Sequence, residues 1–225
     1  MGARRRGLFI TFEGPEGSGK SSQARALADS LRQRGLPVTL TREPGGTPIG
    51  DQIREIILTP RNTAMAPRTE VLLLSAARAQ HVAERIQPAL ADGQIVISDR
   101  FADSTLAYQG YGLGLDLAAL RALTAFATGG VMPDLTIYLD CPPTVGLARK
   151  AQAAQAGGEW NRLDQKPVEY HERVRRGYLA LAAAESDRWQ VVDAAQPAEY
   201  VQHLINAQVG LWLEERWTPP PSSRS

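Results

Sequence analysis

Gly14, Gly19, Lys20 and Ser21 stand at the spacing G-x-x-x-x-G-K-[ST] in the stretch "GPEGSGKSS", residues 14–22. Those residue types handle polyphosphate. Glycines admit positive φ and turn several backbone N–H groups inward on an anion. A helix that follows adds its positive end. The lysine reaches the β- and γ-phosphates of a nucleoside triphosphate, and the hydroxyl serves Mg²⁺. Pro15, Gly17, Ser18 and Ser22 complete the expected nucleotide loop. No N-K-x-D segment of a guanine-specific site occurs in the chain, which points to ATP as donor. Glu16 is out of place here, because a carboxylate inside an anion loop repels phosphate. Its partner must be something else, for which an arginine or a sugar hydroxyl would serve; otherwise it stands solvated at the crest of the loop.

Three further groups carry chemistry. In "TREPGGT", residues 41–47, Arg42 precedes a proline and two glycines, a shape suited to a second phosphate, since arginine clamps an oxyanion bidentately and keeps its charge. The plainer alternative is an incidental arginine on a turn. Asp99 and Arg100 end an apolar run: the carboxylate could hold Mg²⁺ or its water and the guanidinium could bridge two anions, or the two could form a simple strand-end pair. In "GLARKAQAAQAGGEWNRLDQKP", Arg149, Lys150 and Arg162 surround Gly157 and Gly158. A glycine-hinged basic segment of that kind folds over polyphosphate and excludes water, unless it is only a solvated helix end.

The elements that must position these residues are legible. "GLFITFEG" reads as a buried strand running into the glycine loop, followed by helical spacing at Ala24, Leu27, Ala28 and Leu31. "VTL" at 38–40, "QIVISD" at 94–99, "DLTIYLD" at 134–140 and "WQVVDA" at 189–194 give four more strands, with helix-length segments between them. "RTEVLLLSAARAQHVAERIQPALADG" reads as one long helix stopped by Gly93. Val201, Leu204, Ile205, Val209 and Trp212 form the apolar stripe of the last helix. Alternating strands and helices predict an α/β fold with a five-stranded parallel sheet covered on both faces, where ligands gather at the carboxyl ends of the strands. Residues 1–217 are expected to form a single domain with a lid at about 149–166, and "TPPPSSRS" at 218–225 to be a disordered tail.

A net charge of +1 on 225 residues excludes a broad basic surface for nucleic acid or an anionic membrane, so any anion site is local. Arg4, Arg5 and Arg6 are not followed by the apolar segment of a targeting signal, and no stretch approaches a membrane span. The lone Cys141 excludes an internal disulfide framework and reads as a small packing residue at a strand end. The expected location is the cytoplasm.

Taken together, "FEGPEGSGKSSQ", "TREPGGTPIG", "LLLSAARAQH", "DRFADSTLAYQGYG", "PDLTIYLD" and "NRLDQ" resemble the bacterial thymidylate kinase family of the P-loop nucleoside monophosphate kinases, along almost the whole chain. The resemblance implies a P-loop NTPase fold, ATP and dTMP as substrates, Mg²⁺ as cofactor and a homodimer formed through helices. It implies that Lys20, Arg42, Asp99 and Arg100 are catalytic and that Ser21 and Asp99 serve Mg²⁺. Glu16 then touches the 3′-hydroxyl of dTMP, Arg42 and Arg100 its phosphate, and Arg78 the thymine ring. Ser104, Thr105 and Gln109 line the same acceptor site, with Tyr108 against the sugar. Arg149 and Arg162 match lid positions that approach ATP. Leu74 stands where many relatives stack a phenylalanine on the base, and the lid is longer and poorer in basic residues than is common. Without the resemblance, another small-acceptor P-loop kinase and a nucleotide-dependent switch remain open.

Overall fold

The computed structural model describes residues 6–216; Arg4, Arg5 and the expected tail lie outside the described residues. All five expected strands form: β1 (Leu8–Glu13), β2 (Val38–Arg42), β3 (Ile95–Asp99), β4 (Leu135–Asp140) and β5 (Trp189–Asp193). They make one parallel sheet in the order β2-β3-β1-β4-β5. The helices are α1 (Lys20–Gln33), α2 (Pro48–Leu58), α3 (Pro67–His81), α4 (Gln87–Ala91), α5 (Ala102–Thr105), α6 (Leu117–Thr128), α7 (Pro143–Gln155), α8 (Val168–Ala184) and α9 (Ala198–Arg216).

Alternation along the strands divides the core into two faces. Ile10, Phe12, Ile95, Ile97, Ile137 and Leu139 pack against the stripes of α1 and α9, where Val201, Ile205, Val209 and Trp212 are buried and Leu204 partly so. Phe9 and Val96 turn to the helical rod through Val82, Ile86 and Leu90. Tyr138 stacks on Tyr178 of α8, with ring centroids 5.0 Å apart. Cys141 is fully buried just beyond β4, in the packing role expected of it. Arg188, just before β5, reaches under the second face to Asp103 (2.8 Å to each carboxylate oxygen) and to Thr136. Asp103 is 1 % exposed, so this pairing is what makes its burial tolerable.

The long helix expected over 68–93 is interrupted. Between α3 and α4 the residues Val82–Ile86 are π-helical, directly ahead of Pro88. A proline clashes with the carbonyl four residues back and donates no hydrogen bond to it, so the wider turn lets the rod continue. A second π-helical stretch, Leu106–Gly112, continues α5 and carries Tyr108 and Gln109. α2 begins at Thr47, whose hydroxyl accepts from the Gly50 N–H at 3.0 Å, with Pro48 at its first position. α1 has no side-chain cap; Gly19, at φ 89°, turns straight into it from the glycine loop. Its first N–H groups are therefore left for a ligand. No helix among the described residues is long and apolar enough to cross a membrane.

Candidate active site

The strand ends converge on one cavity of about 940 Å³. Parallel register places Phe12 and Arg42 on either side of Asp99, so the glycine loop, the "TREPGG" turn and the "DR" pair share one rim. At the donor end, the ammonium of Lys20 donates to the Pro15 carbonyl at 2.7 Å and to Ser18 Oγ at 3.3 Å. Burial pushes that ammonium down to about 8, the nearby positive charge of Arg100 acts in the same direction, and Glu16, Asp99 and Glu13 pull it partly back. Ser21 donates its hydroxyl to Asp99 Oδ2. Asp99 and Arg100 thus face different partners and are not a strand-end pair. Glu16, Gly17, Gly19, Ser21 and Ser22 line the cavity with Lys20; Gly14, Pro15 and Ser18 do not, Pro15 and Ser18 instead accepting from the Lys20 ammonium.

Glu16 has both kinds of neighbour that its position demands. One carboxylate oxygen accepts from Arg100 Nη2 at 2.8 Å and from Tyr108 Oη at 2.8 Å. Burial would raise its pKa, but Arg100, Lys20 and the Tyr108 hydrogen bond outweigh burial and hold the carboxyl at about 2. Arg100 also donates to Tyr108 Oη, the Gly14 carbonyl, Ser104 Oγ and Tyr178 Oη, at 2.9–3.3 Å. Its own backbone sits at φ 71°, the sole positive φ outside glycine among the described residues. Such a conformation costs on the order of 1–3 kcal/mol and persists only when the surroundings over-determine it. Here the Arg100 N–H donates to Phe12 O (2.9 Å), its carbonyl accepts from Ser98 Oγ (2.7 Å), and the next N–H, of Phe101, donates to Glu13 Oε1 (2.8 Å). Ser104 and Tyr178 donate to the other Glu13 oxygen. Burial, reinforced by the charge of Asp103, raises Glu13 to about 7.

Arg78, 2 % exposed, is held on three sides: Nε donates to Glu43 (2.8 Å), Nη1 to Thr105 (3.0 Å) and Nη2 to the Phe101 carbonyl (3.1 Å). A guanidinium has five N–H groups, so two remain for the cavity it lines. Glu43 is itself fixed by His81 Nδ1 at 3.0 Å, and the other ring nitrogen of His81 meets Thr41 at 2.6 Å. Leu74, Thr105 and Gln109 line the same end. Arg42 is half-exposed at the rim, with Asp51 at 3.1 Å.

The basic segment divides. Arg149 of α7 donates to the carbonyls of Ala194 (2.7 Å) and Ala195 (3.2 Å), and it lines the cavity with Lys150. Arg162 does not join them, contrary to its expected approach to ATP. It is 5 % exposed, donates to the Ile57 carbonyl at 3.1 Å and is paired with the buried Glu70. The physical reason is charge: Glu70 is enclosed, and a buried carboxylate demands a cation. At its root α7 is pressed onto the glycine loop. A Cβ on Gly17 would lie 1.9 Å from the Gly146 carbonyl oxygen, and one on Gly146 would lie 2.1 Å from the Glu16 carbonyl oxygen, so neither position admits a side chain.

Five residues of this site are not singled out by the sequence reading: Glu13, Glu43, Glu70, His81 and Tyr178. Glu13 alone leaves a trace, as an acidic residue closing an apolar strand. Oxygen donors at Ser21 and Asp99 fit Mg²⁺, which takes few protein ligands and otherwise keeps water and phosphate. No group of three or more His, Cys, Asp or Glu gathers for a metal among the described residues.

The family model for thymidylate kinase matches residues 12–205. Thymidylate kinase of Roseiflexus sp. (strain RS-1) is 56% identical over 214 residues, covering 92% of this chain and 95% of the relative. That of Pseudomonas fluorescens (strain SBW25) is 51% identical over 208 residues, covering 92% and 97%. The crystal structure of thymidylate kinase from Ehrlichia chaffeensis superposes with a TM-score of 0.73 at 32% identity, over 91% of this chain and 99% of that one. A glycine loop that opens α1, a guanidinium turn locked to the loop's own carboxylate, and this likeness along the chain lead to one conclusion: the chain belongs to the thymidylate kinase family.

Proposed function

We propose that this chain transfers the γ-phosphoryl group of ATP to dTMP, giving ADP and dTDP, with Mg²⁺ as cofactor. The observation that carries the reading is the Glu16–Arg100–Tyr108 cluster, built onto the rear of a glycine loop in the same cavity as Arg78 and Gln109. A nucleotide switch has no use for a second cationic pocket there.

The acceptor oxygen belongs to an already ionised phosphate, so the reaction asks little of a general base. Its difficulty is bringing two anions together in line. Lys20 and the free N–H groups of α1 take the donor's β- and γ-phosphates, with Arg149 and Lys150 supplying charge from α7. Arg42 and Arg100 take the acceptor phosphate. Because Arg100 is already fixed by five acceptors and a locked backbone, little reorganisation is needed when charge spreads over the transferring group. Glu16, kept ionised at about 2, stays an acceptor at working pH and can receive a sugar hydroxyl. Tyr108 packs beside it and closes the space at the sugar. Ser21 and Asp99 would hold Mg²⁺, which when bound neutralises and aligns the phosphates.

A homodimer is part of the proposal. It is supported by Leu72 (58 % exposed) and Phe126 (87 % exposed) on α3 and α6, which pack side by side. A reducing, cytoplasmic setting is likewise proposed, on the strength of the single buried Cys141. The test of the activity is coupled ADP release with a panel of nucleoside monophosphates. The expected profile has dTMP far ahead of the others; ADP release that does not respond to any acceptor would favour a switch instead.

A further inference from the structure

Gln109 presents an incomplete account of its hydrogen bonds. It is 2 % exposed and lines the acceptor end of the cavity. Its Nε2 donates to Glu70 Oε1 at 2.7 Å, while its Oε1 is buried with no partner among the described residues. The orientation of the amide is dictated by chemistry, because a carboxylate only accepts hydrogen bonds and so the nitrogen must face Glu70. The oxygen is then left over, and a buried amide oxygen is costly unless something donates to it. Glu70, 2 % exposed, is held in turn by Arg162 on its second oxygen. Arg162 is anchored by its Nε to the Ile57 carbonyl and by its backbone N–H to the Leu58 carbonyl (3.2 Å), at the end of α2.

We propose that Arg162 and Glu70 are positioning residues for the acceptor base, with Arg162 fixing Glu70 and Glu70 fixing the Gln109 amide so that an acceptor oxygen faces the pocket. This rests on the reading of the pocket as the dTMP site. Thymine carries an N–H at ring position 3 and matches such an oxygen. Cytosine carries a lone pair there and meets it acceptor to acceptor. The arginine of the basic segment then serves base selection and not the donor nucleotide.

Exchanging Glu70 for glutamine tests the relay. Arg162 can only donate, so the new amide must turn its oxygen to Arg162 and its nitrogen to Gln109, which inverts the Gln109 amide and offers the pocket an N–H. Steady-state kinetics of Glu70→Gln are expected to show KM for dTMP raised about tenfold, KM for ATP within about twofold, and the ratio of kcat/KM for dTMP over dCMP reduced at least about tenfold. Arg162→Lys, which keeps the ion pair, is expected to retain that ratio. The double variant Glu70→Leu/Arg162→Met removes both buried charges together and leaves no acceptor to orient the Gln109 amide; it serves if the single variant does not fold, and it too is expected to lose the ratio. A rise in KM for ATP with an unchanged dTMP/dCMP ratio would overturn the proposal in favour of a donor-side role. A uniform loss of kcat at an unchanged ratio would overturn it in favour of a merely structural one. Wild-type protein that turns over dCMP as readily as dTMP would instead sink the assignment of the pocket itself, before any variant is made.

Discussion

Lys20 shows how a single side chain is tuned by its enclosure. The residue is 7 % exposed, and burial, followed by the nearby positive charge of Arg100, pushes its pKa down from 10.5 to about 8. If it meets the donor's phosphates in the protonated form as proposed, kcat/KM for ATP is expected to fall about tenfold per pH unit above pH 8, since that parameter reports the free enzyme. A profile flat to pH 10 would show that the charge on Lys20 is not what the donor meets. Residues such as Lys20, Ser21 and Glu16 were legible because the backbone pattern of the loop announces them: glycine spacing fixes where the chain turns, and the side chains follow. Glu70 and Arg162 were not, because 92 positions separate them and nothing local to either names its partner. The resemblance sends Arg162 toward the donor nucleotide, whereas in the structure it pairs with the buried Glu70, a partner that no local pattern announces.

Among the elements, strands were the readiest to see. A parallel strand covered on both faces must be apolar throughout, and "FITF", "IVIS" and "TIYL" are nearly so. The π-helical turns had no such sign, because apolar periodicity at 3.6 residues barely differs from its local widening over one turn. Pro88 hinted at a disturbance without giving its form. The meeting of α7 with the glycine loop was equally hidden, since a glycine at position 146 reads as an ordinary weak spot in a helix. Yet it governs how the basic segment is seated. Gly146→Ala would drive a methyl group into the Glu16 carbonyl, so the loop or the helix must give way. The expected result is a loss of about 1–3 kcal/mol in denaturant unfolding together with a raised KM for ATP. An unchanged midpoint and KM would mean that the two backbones are not held as close as described.

For the whole molecule, the sequence already specified the α/β class and the rim at which the chemistry collects, because strand–helix alternation leaves few topologies and ligands favour the carboxyl edge. It was silent on assembly, which depends on where exposed apolar side chains end up after folding. If Leu72 and Phe126 mark the proposed dimer face, wild-type protein should sediment at twice the chain mass, and Leu72→Asp/Phe126→Asp at once that mass. A wild-type protein that sediments as single chains at micromolar concentration would remove the dimer. The Asp103–Arg188 pair bears on how the molecule comes into being. Asp103 lies three residues beyond Arg100, but its counter-charge is encoded 85 positions later. A polypeptide emerging vectorially from a ribosome can therefore have its glycine loop, α1 and three strands in hand and still be unable to bury the turn that bears Arg100. Competence arrives late in synthesis, when the last strand of the sheet brings the missing cation.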